Sequence, residues 1–260
     1  MEHVLSLSYG KDSLACLGAI EKLGLPLDRI IHAEVWATKE ISADLPPMLE
    51  FKAKADEIIK SRYGIIVEHV SANVTYNDCF YRKTKEDLEF KASSHIYGFP
   101  CIKGAWCNSL LKVNVLQRLS KLGITYIGIA SDEPRRFKVL NDKKVSPLVL
   151  AEMTEQDCTK WCKENNLLSP IYTSSQRGGC WFCHNQGIDQ LRLLRKHYPH
   201  LWQMLLQWDK DSPIKFKPKN TVADFEERFQ LEDEGILLPN DNCFRWDWLK
   251  SEGIQMKFFV

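Results

Sequence analysis

The stretch Ser8-Tyr9-Gly10-Lys11-Asp12-Ser13 follows a short apolar run, Val4 to Leu7. It leads straight into Leu14-Ala15-Cys16-Leu17, the opening of a helical pattern. A strand that turns through glycine and lysine into a helix makes an anion-binding turn. The unpaired N–H groups of the first helical turn and the positive end of the helix dipole face the same point in space. Gly10 lets the backbone come close to an anion, the hydroxyls of Ser8 and Ser13 can donate to it, and Lys11 supplies a positive charge. Asp12 either caps the helix or helps to hold Mg²⁺. The expected occupant is the polyphosphate of a nucleotide, cradled by Ser8, Tyr9, Gly10, Lys11, Asp12 and Ser13.

Such a turn needs a sheet behind it, and the rest of the first half supplies one. Strand-like runs near residues 3–8, 30–36, 65–70 and 124–130 alternate with helix-like stretches near 13–23, 47–62 and 108–122. That alternation predicts an α/β fold, a doubly wound, mostly parallel sheet with helices on its faces. Pro46-Pro47 and Gly64 mark the ends of the second helix. Residues 74–100 lack clean periodicity and read as irregular or partly helical cover over the site. Thr154-Glu155-Gln156-Asp157 has the form of a helix N-terminus. From 187 to 208 a helical pattern is broken near Pro199, and the remainder reads as a helical C-terminal extension. We therefore divide the chain into a nucleotide-binding domain over 1–185 and an extension over 186–260. Net charge is only +1, so no global field recruits nucleic acid. No segment approaches a membrane span and the N-terminus enters a strand at once, which predicts a cytoplasmic protein with no membrane partner.

Nine cysteines are many for such a compartment, and their odd number speaks against a closed disulfide set. Cys180-Trp181-Phe182-Cys183 places two thiolates where they can face one metal, with glycines before them to permit the turn. One pair cannot complete a site. Cys101 and Cys107 offer two more ligands from a second segment. Ligand spacing alone leaves an iron–sulfur cluster and Zn²⁺ both open. Cys158 and Cys162, one helical turn apart, read as small buried hydrophobes, as do Cys16, Cys79 and Cys243.

The loop resembles the PP-loop, S-x-G-K-D-S, of ATP pyrophosphatases and of the phosphoadenosine phosphosulfate (PAPS) reductase family, although the usual pattern has glycine where this chain has Tyr9. Gly128-Ile129-Ala130-Ser131-Asp132-Glu133-Pro134-Arg135 is similar to that family's G-I-x-x-D-E segment and its following arginine. Ser146-Pro147-Leu148, Thr154 to Asp157, Ser169-Pro170-Ile171-Tyr172 and Arg177-Gly178-Gly179-Cys180 follow in the family's order. The resemblance covers roughly residues 3–185. It implies an adenine nucleotide alpha hydrolase-like, Rossmann-like domain with Gly128 facing the same crevice as the loop. It also implies a [4Fe–4S] cluster on Cys101, Cys107, Cys180 and Cys183, with Zn²⁺ as the alternative, and Lys112 at the position of the family's lysine. Lys112 and Arg135 are expected as anion clamps, with solvated surface charge as the alternative. Glu34, ending the second expected strand, either touches the ribose or only terminates the strand.

Sulfonucleotide reductases usually lack the loop lysine and carry a late cysteine in a Glu-Cys-Gly setting. This chain keeps Lys11 and ends in Met256-Lys257-Phe258-Phe259-Val260, with Cys243 as its only late cysteine. The expectation is an enzyme that binds ATP with Mg²⁺ and cleaves it between the α- and β-phosphates. It would adenylate an acceptor, a nucleic acid or a small molecule, in step with sulfur chemistry at the metal centre. Lys11, Asp12, Lys112 and Arg135 would carry the chemistry. A reductase of adenylyl sulfate or its 3′-phosphorylated form, and a nucleotide-sensing protein without turnover, are the alternatives. A homodimer is one assembly open to such a chain.

Overall fold

The computed structural model describes residues 1–83, 96–100, 105–121, 123–173 and 178–239. Cys101, Arg177 and Cys243 lie outside them. The chain divides into two units, Met1–Asp78 with Trp106–Trp181, and Cys79–Ala105 with Phe182–Val260.

The first unit is built on five strands: β1 (His3–Ser6), β2 (Arg29–Glu34), β3 (Val67–Ser71), β4 (Ile124–Tyr126) and β5 (Lys144–Val145). They lie in the order β3-β2-β1-β4-β5, and every neighbouring pair is parallel. β2 buries Ile30, Ile31, His32 and Ala33 in succession, as a parallel strand covered on both faces must. The chain moves outward from β1 to β2 and β3, then returns to β4 on the other side of β1. Right-handed crossovers then put α1 (Lys11–Leu23) and α2 (Pro46–Tyr63) on one face and the helical stretch over 106–119 on the other. The sheet is doubly wound, and its strand order reverses at β1, beside the loop. Ligands of open α/β sheets bind at such reversals, beyond the carboxyl ends of the strands.

α1 is held firmly. It buries Leu14, Ala15, Cys16, Leu17, Ala19 and Ile20, and each large aliphatic side chain among them contributes about 1.5–3 kcal/mol. Helix Glu155–Glu164 packs beside it so closely that a Cβ on Gly18 would meet the Trp161 ring at 2.2 Å. That helix opens with a reciprocal box: the Thr154 hydroxyl accepts from the Asp157 N–H at 3.2 Å, and the Asp157 carboxylate accepts from the Thr154 N–H at 2.9 Å. Pro46 and Pro47 begin α2 and Gly64 follows it with φ 69°. Cys16, Cys158 and Cys162 lie in the same hydrophobic core.

Three details depart from the sequence expectation. The helix expected over 108–122 runs over 106–119 and is π-helical at Ser109–Val113, a widening that periodicity cannot register. The strand expected to reach 130 ends at Tyr126, because the chain then turns in against the first turn of α1. β5 is only two residues long, too short to show as a pattern.

The second unit contains helices Ile188–His197, Pro199–Asp211 and Val222–Asp233, the first two separated at Pro199. Trp202, Leu205, Phe225 and Phe229 are buried within it. Arg195 bonds Glu226 and Asp233, and Arg192 and Arg228 share Glu232. No helix among the described residues is long and apolar enough to cross a membrane.

Candidate functional site

A cavity of about 790 Å³ opens beyond β1 and β2, and residues 8–12 form part of its wall. The loop is laced internally. The Ser13 hydroxyl donates to the Gly10 carbonyl at 3.0 Å and accepts from the Ser8 N–H at 3.1 Å and from the Ser8 hydroxyl at 2.9 Å. Gly10 precedes α1 without any side-chain cap, so the anion-seeking end of the helix is left to the cavity. Two amides at the helix start are engaged: the Gly10 N–H donates to the Ser8 hydroxyl at 3.4 Å and the Lys11 N–H to the Tyr172 hydroxyl at 3.1 Å. Gly128 abuts the same turn, and a Cβ there would lie 2.6 Å from the Ser13 nitrogen.

Charges in the cavity are balanced. Lys11, Lys52, Lys112 and Arg136 face it together with Asp12, Asp44, Glu133 and Glu155. The Lys11 ammonium lies 2.7 Å from Asp12 and 3.2 Å from Glu155. Burial opposes its charge, but these two carboxylates outweigh burial and raise its pKa. The Asp12 pKa is also raised, by burial first and by Glu155 and Glu133, against the pull of Lys11. Carboxylate oxygens of Asp12, Glu133 and Glu155 come within 4.8 Å of one another, an all-oxygen set that suits Mg²⁺. A polyanion entering a cavity so balanced gains from a divalent cation that takes up the carboxylates and releases Lys11 to the phosphates.

Behind the loop lies a polar network. His32 Nδ1 lies 2.8 Å from the Leu7 carbonyl and must donate to it, which leaves Nε2 to accept from the Lys52 ammonium at 2.7 Å. Lys52, 6% exposed, also bonds Asp44 at 2.5 Å. Burial, then the charge of Lys52, drives the His32 pKa down to about 3, so the ring is neutral. Tyr9 is fully buried with φ 55°, left-handed backbone that a side chain disfavours. Its hydroxyl donates to Asp56 of α2 and lies 3.2 Å from His69 Nε2 on β3. His69 in turn bonds Asp56 at 2.8 Å and Glu34 at 2.9 Å. Burial, then the bond to Asp56, pushes the phenol far above its ordinary pKa, so it remains a donor.

The structure thus brings Ser8, Tyr9, Gly10, Lys11, Asp12 and Lys112 to one cavity, and Cys180 with them. Lys112 forms no ion pair among the described residues. Arg135 is exposed and does not line the cavity; its neighbour Arg136 does, bonded to Glu133 at 2.7 Å. Glu34 turns to His69 rather than lining the cavity, and Gly128 supports the loop from behind. Cys107 and Cys180 belong to the first unit and Cys183 to the second, and all three are half-buried. Cys101 lies outside the described residues. Trp181 is pinned by its N–H to the Ala43 carbonyl at 3.0 Å and by its indole N–H to the Ser42 carbonyl at 2.9 Å, which fixes the chain beside Cys180. None of the seven described cysteines forms a disulfide, so the thiol donors that a soft metal centre needs are present. Burial raises the pKa of Cys158 and Cys162 to about 12 and makes them unreactive.

Sequence reasoning did not single out Lys52, Asp56, His69, Glu155 or Tyr172 as site residues. A lysine inside a predicted helix, at Phe51-Lys52, was one available signal, and Glu155 and Tyr172 fall within the family-like stretches Thr154 to Asp157 and Ser169 to Tyr172.

No protein-family model matches the chain, and no curated protein matches it. Among solved structures it is similar to the U34-tRNA thiolase NcsA from Methanococcus maripaludis with its [4Fe–4S] cluster. The two are 13% identical, over 88% of this chain and 80% of that one, with a TM-score of 0.39.

Proposed function

We propose that this chain binds ATP with Mg²⁺ in the cavity and cleaves it between the α- and β-phosphates, transferring the adenylyl group to an acceptor. The observation that carries the reading is the uncapped N-terminus of α1, opening with Lys11 into a cavity that also holds three clustered carboxylates and Cys180. An acceptor nucleophile attacks the α-phosphorus as the bond to the bridging oxygen breaks, and pyrophosphate leaves. Charge grows on that leaving group. The Lys11 ammonium, once the cation takes Asp12 and Glu155 from it, and the first turn of α1 would stabilise that charge, so no covalent enzyme intermediate is needed. Asp12, Glu133 and Glu155 would hold the cation, and Lys112, which forms no ion pair among the described residues, faces the cavity, ready for an anionic part of the acceptor or nucleotide. Within the first unit, Cys107 and Cys180 would supply thiolates to a metal centre that offers a seat for sulfur when bound.

The test is product analysis. Pure protein incubated with α-labelled ATP, Mg²⁺ and candidate acceptors, oligonucleotides and small nucleophiles, should release pyrophosphate and leave label as AMP or on the acceptor. Release of ADP would overturn the reading.

A further inference from the structure

Tyr9 occupies the one loop position where a side chain is least welcome. Its φ of 55° is backbone that glycine adopts without penalty and tyrosine does not. Something must repay that conformation, and the side chain's surroundings identify it. The hydroxyl donates to Asp56 and lies 3.2 Å from His69 Nε2. The ring stands edge-on to His32 at 4.7 Å, with the Lys52 ammonium 5.3 Å from its centre. Each partner is itself fixed: His69 between Asp56 and Glu34, and His32 between the Leu7 carbonyl and Lys52. One residue of the loop is therefore bolted to α2, β2 and β3, while the next three residues, Gly10 to Asp12, line the cavity.

We propose that Tyr9 is a positioning residue for polyphosphate binding. Its hydroxyl, tethered to Asp56 and His69, holds the left-handed backbone of residue 9, so that the turn carrying Lys11 is set against the cavity, where the β- and γ-phosphates would lie, before a nucleotide arrives. The tether replaces conformational freedom with preorganisation, which reduces what the loop must lose on binding. The proposal rests on the reading of the loop as a polyphosphate cradle. It goes beyond that reading by assigning the loop's aim to a residue that need not touch the nucleotide through its side chain.

Calorimetry with α,β-methylene ATP and with AMP separates this role from a merely structural one, because AMP lacks the phosphates in question. Tyr9→Phe keeps the ring and removes the tether. It should weaken the triphosphate roughly tenfold, the scale of one lost hydrogen bond to a charged group, and leave AMP unchanged. Tyr9→Gly relieves the backbone but frees the loop, and should weaken the triphosphate at least as much. Asp56→Ala cuts the tether from its other end and serves equally if Tyr9→Phe does not fold. The double variant should lose no more than either single one. Tyr9→Phe and Asp56→Ala binding the triphosphate within twofold of wild type would overturn the proposal, as would equal losses for triphosphate and AMP. A wild-type protein that binds no triphosphate at all would instead defeat the reading of the loop, a separate outcome.

Discussion

Gly128 has no room for a side chain, and the obstacle is the loop itself. A Cβ built there would lie 2.6 Å from the Ser13 nitrogen and 2.8 Å from both the Asp12 carbonyl carbon and the Ser13 Cα. These are main-chain atoms of the first turn of α1, which cannot rotate aside as a side-chain tip can. Ordinary contact begins at 3.4 Å, so a methyl group must push the turn back by a large fraction of an ångström. Overpacking of this kind costs about 1–3 kcal/mol. In a chain of this size each kcal/mol lowers Tm by roughly 2–4 °C. The displaced turn carries Lys11 and the uncapped amides, so Gly128→Ala should also weaken ATP roughly tenfold or more, the loss of at least one charge-assisted hydrogen bond. Gly24→Ala is the matched control: it strains φ 61° at the far end of the same helix, with nothing within 4 Å of the new methyl. It should lower Tm by a comparable few degrees and leave ATP affinity alone. Thermal melts and calorimetry on both variants decide the matter. If Gly128→Ala binds ATP as wild type does, Gly128 is not what seats the loop.

Tyr172→Phe should bind ATP roughly two- to tenfold more tightly, because the Lys11 N–H then has no hydroxyl to give up before it meets a phosphate; unchanged or weaker binding by calorimetry would mean the hydroxyl stays engaged. Burial and Lys52 hold the His32 pKa near about 3, against 6.5 when unfolded. Below about pH 6.5 the unfolded chain therefore binds a proton that the native state refuses, and stability falls as pH drops from there toward 3, by up to about 1.4 kcal/mol per pH unit from this residue. Urea titrations across that range should show the slope, and His32→Gln should remove it; equal slopes would refute the assignment. Anaerobically purified protein should carry iron with a broad absorption band at roughly 400 nm, or zinc without one, and Cys180→Ser should lower the metal content. Metal retained at wild-type levels would remove Cys180 from the ligand set.

The fold was legible because its signals are local and repeated. Pro46-Pro47, Gly64 and the Thr154 to Asp157 box each name a helix end by a mechanism that acts within four residues, and the structure places those ends there. The details that escaped depend on neighbours. Tyr126 ends its strand because the chain must turn toward α1, and the π-helical turn at Ser109–Val113 leaves no trace in the spacing of apolar residues.

The candidate site divides along the same line. Ser8 to Ser13 could be read directly, since a strand, a glycine and a lysine ahead of a helix are contiguous. Lys52, Asp56 and His69 could not, because each acquires its role from a partner far along the chain: Lys52 from His32, and Asp56 and His69 from Tyr9. Arg135 and Arg136 differ by one position, and only the turn of a short 3₁₀ segment over Pro134–Val139 decides which faces the cavity. The residues that broke a local rule were nevertheless visible. A tyrosine at a glycine position and a lysine on the buried side of a helix each violate an ordinary preference, and both lie in the network behind the loop. Such violations persist where the surrounding structure compensates for them, and compensation concentrated in one place marks a functional site. If Tyr9 and Lys52 were only tolerated accidents of packing, replacing them with glycine and leucine would stabilise the protein and leave nucleotide binding untouched. The network predicts the reverse on both counts.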